Sequence, residues 1–361
     1  MDFDRDDEDD HVGTAAIDAS DVLGSASVKK IAVIGAGSYG SCLAMLFGRV
    51  GHDVFLWARN PETARHMQDT RSAEAYLPGH TLPPAVTVTS DLHAAVRGAH
   101  FIVGVTPSHG IRDVLGRAAE TMDPDVIVIN ASKGLDEGSL ATIDRVYADV
   151  LPPRIAARAT YLSGPTFANE IAAGMPAAIV LAGRDQATLK SAQEALTTLH
   201  FRIYRTEDVI GVLIGGALKN VVAIGAGVCD GLGFGSNTRV ALMTRGLAEI
   251  TRIGVALGAN PLTFAGLSGM GDLVLTCSGD ASRNRRVGLA LGRGQKMPEI
   301  LAEMKQVAEG IKTAKVAHAL AEKLGVEAPI MAVMHAAIHE GLPMREAVDA
   351  LLARPVGIER D

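Results

Sequence analysis

The sequence predicts an α/β protein: a doubly wound parallel sheet followed by an all-helical domain. Three observations carry that reading. Between residues 29 and 206, apolar runs rich in Val and Ile alternate with helical stretches. After residue 206 the strands cease and long helical stretches follow one another. Near the start, Ile31-Ala32-Val33-Ile34 runs directly into Gly35-Ala36-Gly37-Ser38-Tyr39-Gly40, a G-x-G-x-x-G turn that opens a helix over 41–50. Strands that alternate with helices imply crossover connections and a sheet covered on both faces.

The glycines of the turn have separate uses. Gly35 permits the tight turn, Gly37 lets the backbone approach a pyrophosphate, and Gly40 lets the helix pack closely on the strand. The helix start offers unpaired N–H groups and a positive dipole end to phosphates. A second strand, Asp53-Val54-Phe55-Leu56-Trp57, follows at once, which is the setting a dinucleotide-binding turn requires.

The remaining elements follow in order. Pro61 sits in the first turn of a helix after Trp57. Prolines and a glycine over 78–84 lead to a short strand at 86–88, and Asp91 caps a helix reaching residue 96. Strands are expected at 101–105, 126–129, 161–166 and 177–181, then a helix at 186–199 and a last strand at 201–204. Beyond them lie helices at 209–228, 237–257, 297–305, 312–324, 328–340 and 344–353, with Gly258, Gly325 and Gly341 at C-terminal caps. The division falls between Thr206 and Asp208. Residues 29–206 form the dinucleotide-binding domain and 207–361 the substrate domain.

Composition narrows the class. A chain of 361 residues, 48% of them hydrophobic, is long enough for two cores. Only 4% are aromatic, so packing rests on small aliphatic side chains and on close backbone approach through 39 glycines. The net charge of −7 argues against a nucleic-acid partner. Cys42, Cys229 and Cys277 form no C-x-x-C pair, so neither a disulfide framework nor a zinc site is indicated, and a reducing cytoplasm fits. Residues 1–28 open with Asp2, Asp4, Asp6, Asp7, Glu8, Asp9 and Asp10 and read as a disordered acidic tail with no apolar leader. The apolar stretch 210–229 carries Lys219 and Asn220 at its centre and is interrupted by glycines, so it reads as a buried helix and no integral membrane segment is expected. His335 and His339 are spaced i,i+4, but Ala336 stands where a zincin helix needs its glutamate, and no metal is assigned.

In an open parallel sheet, ligands collect at the carboxyl ends of the strands. Thr106-Pro107-Ser108 ends one strand and is either the lining of a nicotinamide site or a plain turn. Asn130-Ala131-Ser132-Lys133-Gly134 ends the next and brings a lysine to the crevice. Ser163-Gly164-Pro165-Thr166-Phe167-Ala168 combines a sharp bend with hydroxyls, suited to touching substrate or ribose and equally to closing the sheet. After the second strand an NAD site has an acidic residue; here Arg59 stands there, which points to NADP with NAD tolerated. Lys219 lies within a helix apolar on all faces, where desolvation lowers a lysine's pKa toward the range of acid/base chemistry; the alternative is a lysine that snorkels to the surface. Asp272, in Gly269-Met270-Gly271-Asp272-Leu273, reads as a carboxylate in a flexible loop. Ser282-Arg283-Asn284 sets a bidentate cation between two neutral groups, which suits a phosphate.

Taken together, these blocks closely resemble the soluble, bacterial-type NAD(P)-dependent glycerol-3-phosphate dehydrogenase family, over residues 29–352. The family's motifs stand here, in its order, as 35–40, Ser132-Lys133-Gly134, 163–168, Ala217-Leu218-Lys219-Asn220, 269–273, 282–286 and Val307-Ala308-Glu309-Gly310. Tyr39 replaces a frequent Trp, and Thr106-Pro107-Ser108 replaces the commoner Val-Pro-Ser. The resemblance implies a Rossmann domain followed by a helical domain of the 6-phosphogluconate dehydrogenase C-terminal-like type. It also implies reversible hydride transfer between dihydroxyacetone phosphate and sn-glycerol 3-phosphate for glycerophospholipid synthesis.

By position, the resemblance makes Lys219 the proton acceptor or donor, with Lys133 supporting it. Gly35, Gly37, Ser38, Tyr39, Gly40, Arg59, Lys133, Ala168, Arg283, Val307 and Glu309 would hold the cofactor. Lys133, Gly164, Thr166, Lys219, Asp272, Ser282, Arg283 and Asn284 would hold the phosphorylated substrate. Another two-domain dehydrogenase, for a hydroxy acid or a sugar acid, would not require Ser282-Arg283-Asn284. A nicotinamide-sensing regulator would leave Lys219 unexplained. Apolar helices in the second half are compatible with a homodimer.

Overall fold

In the computed structural model, which describes residues 27–304, 308–355 and 358, the first half of the chain is organised around a single sheet. Its strands are β1 (Lys30–Ile34), β2 (Asp53–Trp57), β3 (Val86–Thr89), β4 (Phe101–Gly104), β5 (Ile127–Asn130), β6 (Thr160–Ser163), β7 (Ala177–Gly183) and β8 (Phe201–Thr206), in the order β3-β2-β1-β4-β5-β6-β7-β8. The chain begins in the middle and winds outward both ways, so the order reverses between β1 and β4 and a crevice opens above their carboxyl ends. Alternate residues face opposite sides. Ile31 and Val33 pack with Leu43 and Phe47 on one face, while Ala32 and Ile34 pack with Val114 and Ile143 on the other.

Helices α1 (Ser38–Arg49), α2 (Pro61–Thr70), α3 (Leu92–Val96), α4 (Ile111–Ala119), α5 (Ile143–Val150), α6 (Pro153–Ala156), α7 (Ala168–Ala172) and α8 (Gln186–Leu196) accompany the strands. Asn60, Asp91 and Asp185 cap α2, α3 and α8 by accepting from backbone N–H groups of the first turn. One strand pair departs from the expected parallel arrangement: β6 and β7 run antiparallel, with Ser163 opposite Val180. The connection between them holds only the five-residue α7, too short to return the chain along the sheet, so β7 doubles back against β6. The strand expected over 161–166 accordingly stops at Ser163, where Gly164 turns the chain with φ +152°.

The rest of the chain is helical: α9 (Val209–Gly231), α10 (Ser236–Ala256), α11 (Asp272–Ser278), α12 (Arg283–Gly292), α13 (Met297–Glu303), α14 (Glu309–Leu324), α15 (Pro329–His335) and α16 (Met344–Leu352). Asp208 caps α9 by accepting from the Gly211 N–H at 2.9 Å, two residues after β8 ends. By length and a mean hydropathy of 1.9, α9 could cross a membrane, yet 94% of its apolar window is buried inside the protein. It is the core around which α10, α11, α12 and α14 pack. The approach of α12 is closest: a Cβ on Gly288 would stand 1.8 Å from the Ile224 carbonyl oxygen, so no other residue fits there.

Three expectations needed adjustment. Helix α14 begins at Glu309 rather than 312, and the helix expected over 328–340 is α15 continued by a π-helical turn, Ala336–Glu340. The short helix α11 replaces what read as a flexible loop, and α12 carries the Ser282-Arg283-Asn284 cluster at its start. The acidic tail lies outside the described residues except for its last two positions.

Candidate active site

The glycine turn fits a pyrophosphate. Gly35 has φ +123° and a Cβ there would meet the Val105 carbonyl oxygen at 2.8 Å, while one on Gly40 would stand 1.8 Å from the Gly35 oxygen. Over Gly37 the same test finds nothing within 4 Å, so the turn is closed toward the protein and open toward a ligand. No side chain caps α1 at Gly37, and the start of the helix keeps its dipole end for a phosphate. The Ser38 hydroxyl turns away, donating to the Tyr76 carbonyl at 2.5 Å. Arg59 is exposed just past β2, and the only carboxylates nearby in sequence are Asp53 at the strand's start and Glu62 in the first turn of α2. A cation at this position suits a 2′-phosphate better than a ribose hydroxyl.

From the turn a hydrogen-bonded chain leads to the helical half. Tyr39, the second residue of α1, has its hydroxyl 3.4 Å from the Thr166 hydroxyl, and burial raises its pKa well above the ordinary tyrosine value. Thr166 donates to the Gly164 carbonyl at 3.3 Å, and Lys133 Nζ donates to that same carbonyl at 3.0 Å. Lys133 is carried into place by the end of β5, where the Ser132 hydroxyl donates to the Thr106 carbonyl at 2.5 Å and the Asn130 amide donates to the Ser132 carbonyl at 2.9 Å.

At the centre stands Asp272, 1% exposed at the start of α11. Its Oδ2 accepts from Lys133 Nζ at 2.5 Å and its Oδ1 from Lys219 Nζ at 2.6 Å. The expectation of a flexible loop carboxylate is therefore corrected. A carboxylate this buried persists because two ammonium groups and a helix N-terminus surround it. Lys219 does not snorkel: it is 5% exposed, and its second interaction is with Thr276 Oγ1 at 2.6 Å. That hydroxyl donates to the Asp272 carbonyl at 2.6 Å, which leaves its lone pairs for the lysine. Burial pulls the Lys219 ammonium down to about 8, with Asp272 opposing the shift and Lys133 reinforcing it.

A second constellation adjoins the first. Asn220, next to Lys219, accepts from the Asn284 amide at 2.9 Å, and the Asn284 carbonyl oxygen accepts from the Gly310 N–H at 3.0 Å. Ser282 caps α12, accepting from the Arg285 N–H at 3.2 Å. Arg283 is exposed to solvent at the start of the same helix; surrounding protein lowers its pKa and the neighbouring Glu309 opposes that. Glu309 opens α14 and accepts from the Ser108 hydroxyl at 2.8 Å, so the loop after β4 meets the helical half there. Ala168 begins α7 against the sheet core. Val307 lies outside the described residues.

Sequence reasoning missed Thr276 and the use of Ser108. The signal for Thr276 was available, since it follows Asp272 at i+4 on one helical face. That spacing had no meaning while 269–273 was read as a loop.

A dinucleotide turn joined by hydrogen bonds to a buried lysine–carboxylate–lysine set is the layout of a two-domain nicotinamide-dependent dehydrogenase. The profile described as NAD-dependent glycerol-3-phosphate dehydrogenase N-terminus matches residues 30–189, and that of the C-terminus matches 208–349. The glycerol-3-phosphate dehydrogenase [NAD(P)+] of Geobacter sulfurreducens is 51% identical over 332 residues, 92% of this chain and 99% of its own length. Its counterpart in Geobacter sp. (strain M21) is 50% identical over 331 residues, with the same coverage of 92% and 99%. A crystal structure of glycerol-3-phosphate dehydrogenase from Coxiella burnetii is 37% identical and superposes with a TM-score of 0.87 over 91% of this chain and 99% of that one. The chain belongs to the NAD-dependent glycerol-3-phosphate dehydrogenase family.

Proposed function

We propose that this protein reduces dihydroxyacetone phosphate to sn-glycerol 3-phosphate with NAD(P)H, reversibly, and so feeds glycerophospholipid synthesis. The observation that carries the reading is Asp272 holding the ammonium groups of Lys219 and Lys133 at 2.6 and 2.5 Å beside the start of α12. When bound, the nicotinamide supplies hydride to the C2 carbonyl carbon. Lys219 Nζ polarises the C2 oxygen and donates its proton to that atom. A pKa of about 8 keeps Lys219 mainly protonated at neutral pH while making the proton easier to release. Asp272 and Thr276 fix the nitrogen, and in the reverse direction neutral Lys219 is the general base. Lys133 supports the oxygen or the phosphate electrostatically.

Arg283, with Asn284 and Ser282, takes the substrate phosphate, and Gly164 and Thr166 line the substrate's other side. The turn residues Gly35, Gly37, Ser38, Tyr39 and Gly40 hold the dinucleotide, with Lys133, Ala168, Arg283, Val307 and Glu309 around it. Arg59 selects NADP over NAD without excluding NAD. The working division is 29–206 for the dinucleotide and 207–361 for the substrate. A homodimer and a cytoplasmic location belong to the same reading, the latter supported by three buried free thiols.

The test follows NADPH and NADH oxidation by absorbance with dihydroxyacetone phosphate, using unphosphorylated dihydroxyacetone as control. Turnover that needs the phosphate is the expected result. Tight cofactor binding without turnover would turn the reading toward the other dehydrogenases or a sensor.

A further inference from the structure

The geometry points to Arg285 and Asp230 as positioning residues that fix the phosphate-binding turn of α12 without touching substrate; this rests on the reading above that Arg283 and Asn284 take the phosphate. In a helix, consecutive side chains diverge by about 100°. In the first turn of α12 that divergence sends three neighbours in three directions. Arg283 is toward Glu309 and solvent. Asn284 points inward, between Asn220 and the Gly310 N–H. Arg285 points away from both, toward the C-terminal end of α9.

There Arg285 Nε and Nη2 donate to Asp230 Oδ2 at 2.9 and 2.7 Å, and Nη1 donates to Asp280 Oδ1 at 2.7 Å. The other oxygen of Asp230 accepts from Arg239 Nη1, on α10, at 2.8 Å. The side chains of Arg285 and Asp230 are 14% and 12% exposed, so water screens the pair weakly. The Arg285 backbone is pinned as well: a Cβ on Gly227 of α9 would lie 2.0 Å from the Arg285 carbonyl oxygen.

Asp230 is eleven residues beyond Lys219 on one continuous helix, roughly 16 Å along its axis. Arg285 therefore ties the phosphate-binding turn to the same rigid rod that carries the proton donor, at a point remote from the chemistry. The tie adds a side-chain anchor at α9 to the one that Asn284 supplies, and so limits how far the first turn of α12, with Arg283 on it, can tilt. A one-ångström misplacement at such a site costs on the order of 100-fold. In this arrangement Arg283 selects for phosphate and the Arg285–Asp230 pair sets where Arg283 stands.

The experiment is steady-state kinetics on purified full-length protein, with dihydroxyacetone phosphate and with dihydroxyacetone, for wild type, Arg285→Met, Arg285→Lys, Asp230→Asn and Arg239→Met. Arg285→Met and Asp230→Asn should raise KM for the phosphorylated substrate by about 10–100-fold. Both should leave kcat/KM for dihydroxyacetone unchanged. Arg285→Lys keeps the charge but loses the planar fork, and should fall between wild type and Arg285→Met; it carries the test if Arg285→Met does not fold. Arg239→Met removes an ion pair from the same carboxylate but leaves α12 tied, and should keep the wild-type KM. An unchanged KM in Arg285→Met, an equal loss on both substrates, or an Arg239→Met effect as large as that of Arg285→Met would overturn the inference. A wild-type enzyme indifferent to the phosphate would overturn it together with the functional reading, and only that result touches both.

Discussion

The two halves of the molecule build their parts of the site from different material. In the sheet half, the surface offered to a dinucleotide's phosphates is backbone: the open turn at Gly37 and the uncapped start of α1. In the helical half it is side chains, with Lys219, Asp272, Thr276, Asn220 and Asn284 all buried and all hydrogen-bonded to one another or to backbone. A backbone site is sensitive to added volume, whereas a buried polar site is sensitive to a lost charge or partner. Each half should fail in its own way.

The largest effect belongs to the side-chain site. Lys219→Met removes the proposed proton donor but leaves Asp272 its partner Lys133, so the carboxylate stays paired. We expect kcat to fall by about 10²–10⁴-fold, the range typical of general acid catalysis, with NADPH affinity by fluorescence little changed. Near-normal turnover would show that another group moves the proton. The pH profile gives the same residue a second check. With its pKa lowered to about 8, Lys219 loses its proton as pH rises through that value. Reduction of dihydroxyacetone phosphate should then decline above pH 8 by about tenfold per unit, while oxidation of glycerol 3-phosphate, which needs the free amine, should rise toward a plateau. Matching profiles in both directions would rule this assignment out.

The backbone site predicts the opposite pattern. In Gly40→Ala the added Cβ would lie 1.8 Å from the Gly35 oxygen, so the turn must shift. We expect a stability loss of about 1–3 kcal/mol, seen as a lower Tm, together with weakened NADPH binding. Residual turnover at saturating NADPH should keep the pH dependence set by Lys219. A variant with wild-type cofactor affinity would mean that the dinucleotide does not rest on this turn.

The same contrast explains what was legible in the sequence. The sheet half could be read because its motif is local: strand, turn and helix are contiguous, although the carbonyl that crowds Gly35 belongs to the distant Val105. Even there, the antiparallel β6–β7 pair was hidden, because direction depends on how far a short connection can reach. In the helical half Lys219 announced itself as a charge in an apolar helix, and Ser282-Arg283-Asn284 as a set suited to a phosphate. Asp272 did not: its partners lie 53 and 139 residues away in sequence, and nothing in Gly269-Met270-Gly271-Asp272-Leu273 reports them. Ser282 and Arg285 read as parts of one basic cluster, and only the packing of α12 on α9 separates the cap and the anchor from Arg283.

Smaller effects sharpen the comparison at its edges. Arg59 is exposed, so its replacement should alter cofactor choice without damaging the fold. A charge-assisted contact is worth about 1.5–3 kcal/mol, so Arg59→Ala should lower the NADPH:NADH ratio of kcat/KM by about tenfold or more. An unchanged ratio would place the 2′-phosphate elsewhere.

The smallest kinetic effect is expected of Glu249, a buried carboxyl on α10 that plays no part in the site. Its two oxygens accept from the Ile330 and Met331 N–H groups at 2.8 and 3.1 Å, tying α10 to the start of α15. Burial raises its pKa to about 7, against the pull of those two hydrogen bonds. The folded protein thus holds this proton more tightly than the unfolded chain does. Its contribution to stability is present below the ordinary carboxyl range, near pH 4.5, and is lost as pH rises through about 7. Glu249→Gln fixes the site in a neutral form and should remove that slope while leaving kcat unchanged. The Tm difference, wild type minus variant, should therefore move against the wild type between pH 5 and pH 8, by the equivalent of roughly 3 kcal/mol at most. Taking the difference cancels the titration of every other group. A gap that stays constant across this window would mean that Glu249 remains ionised in the fold, with its two hydrogen bonds outweighing its burial.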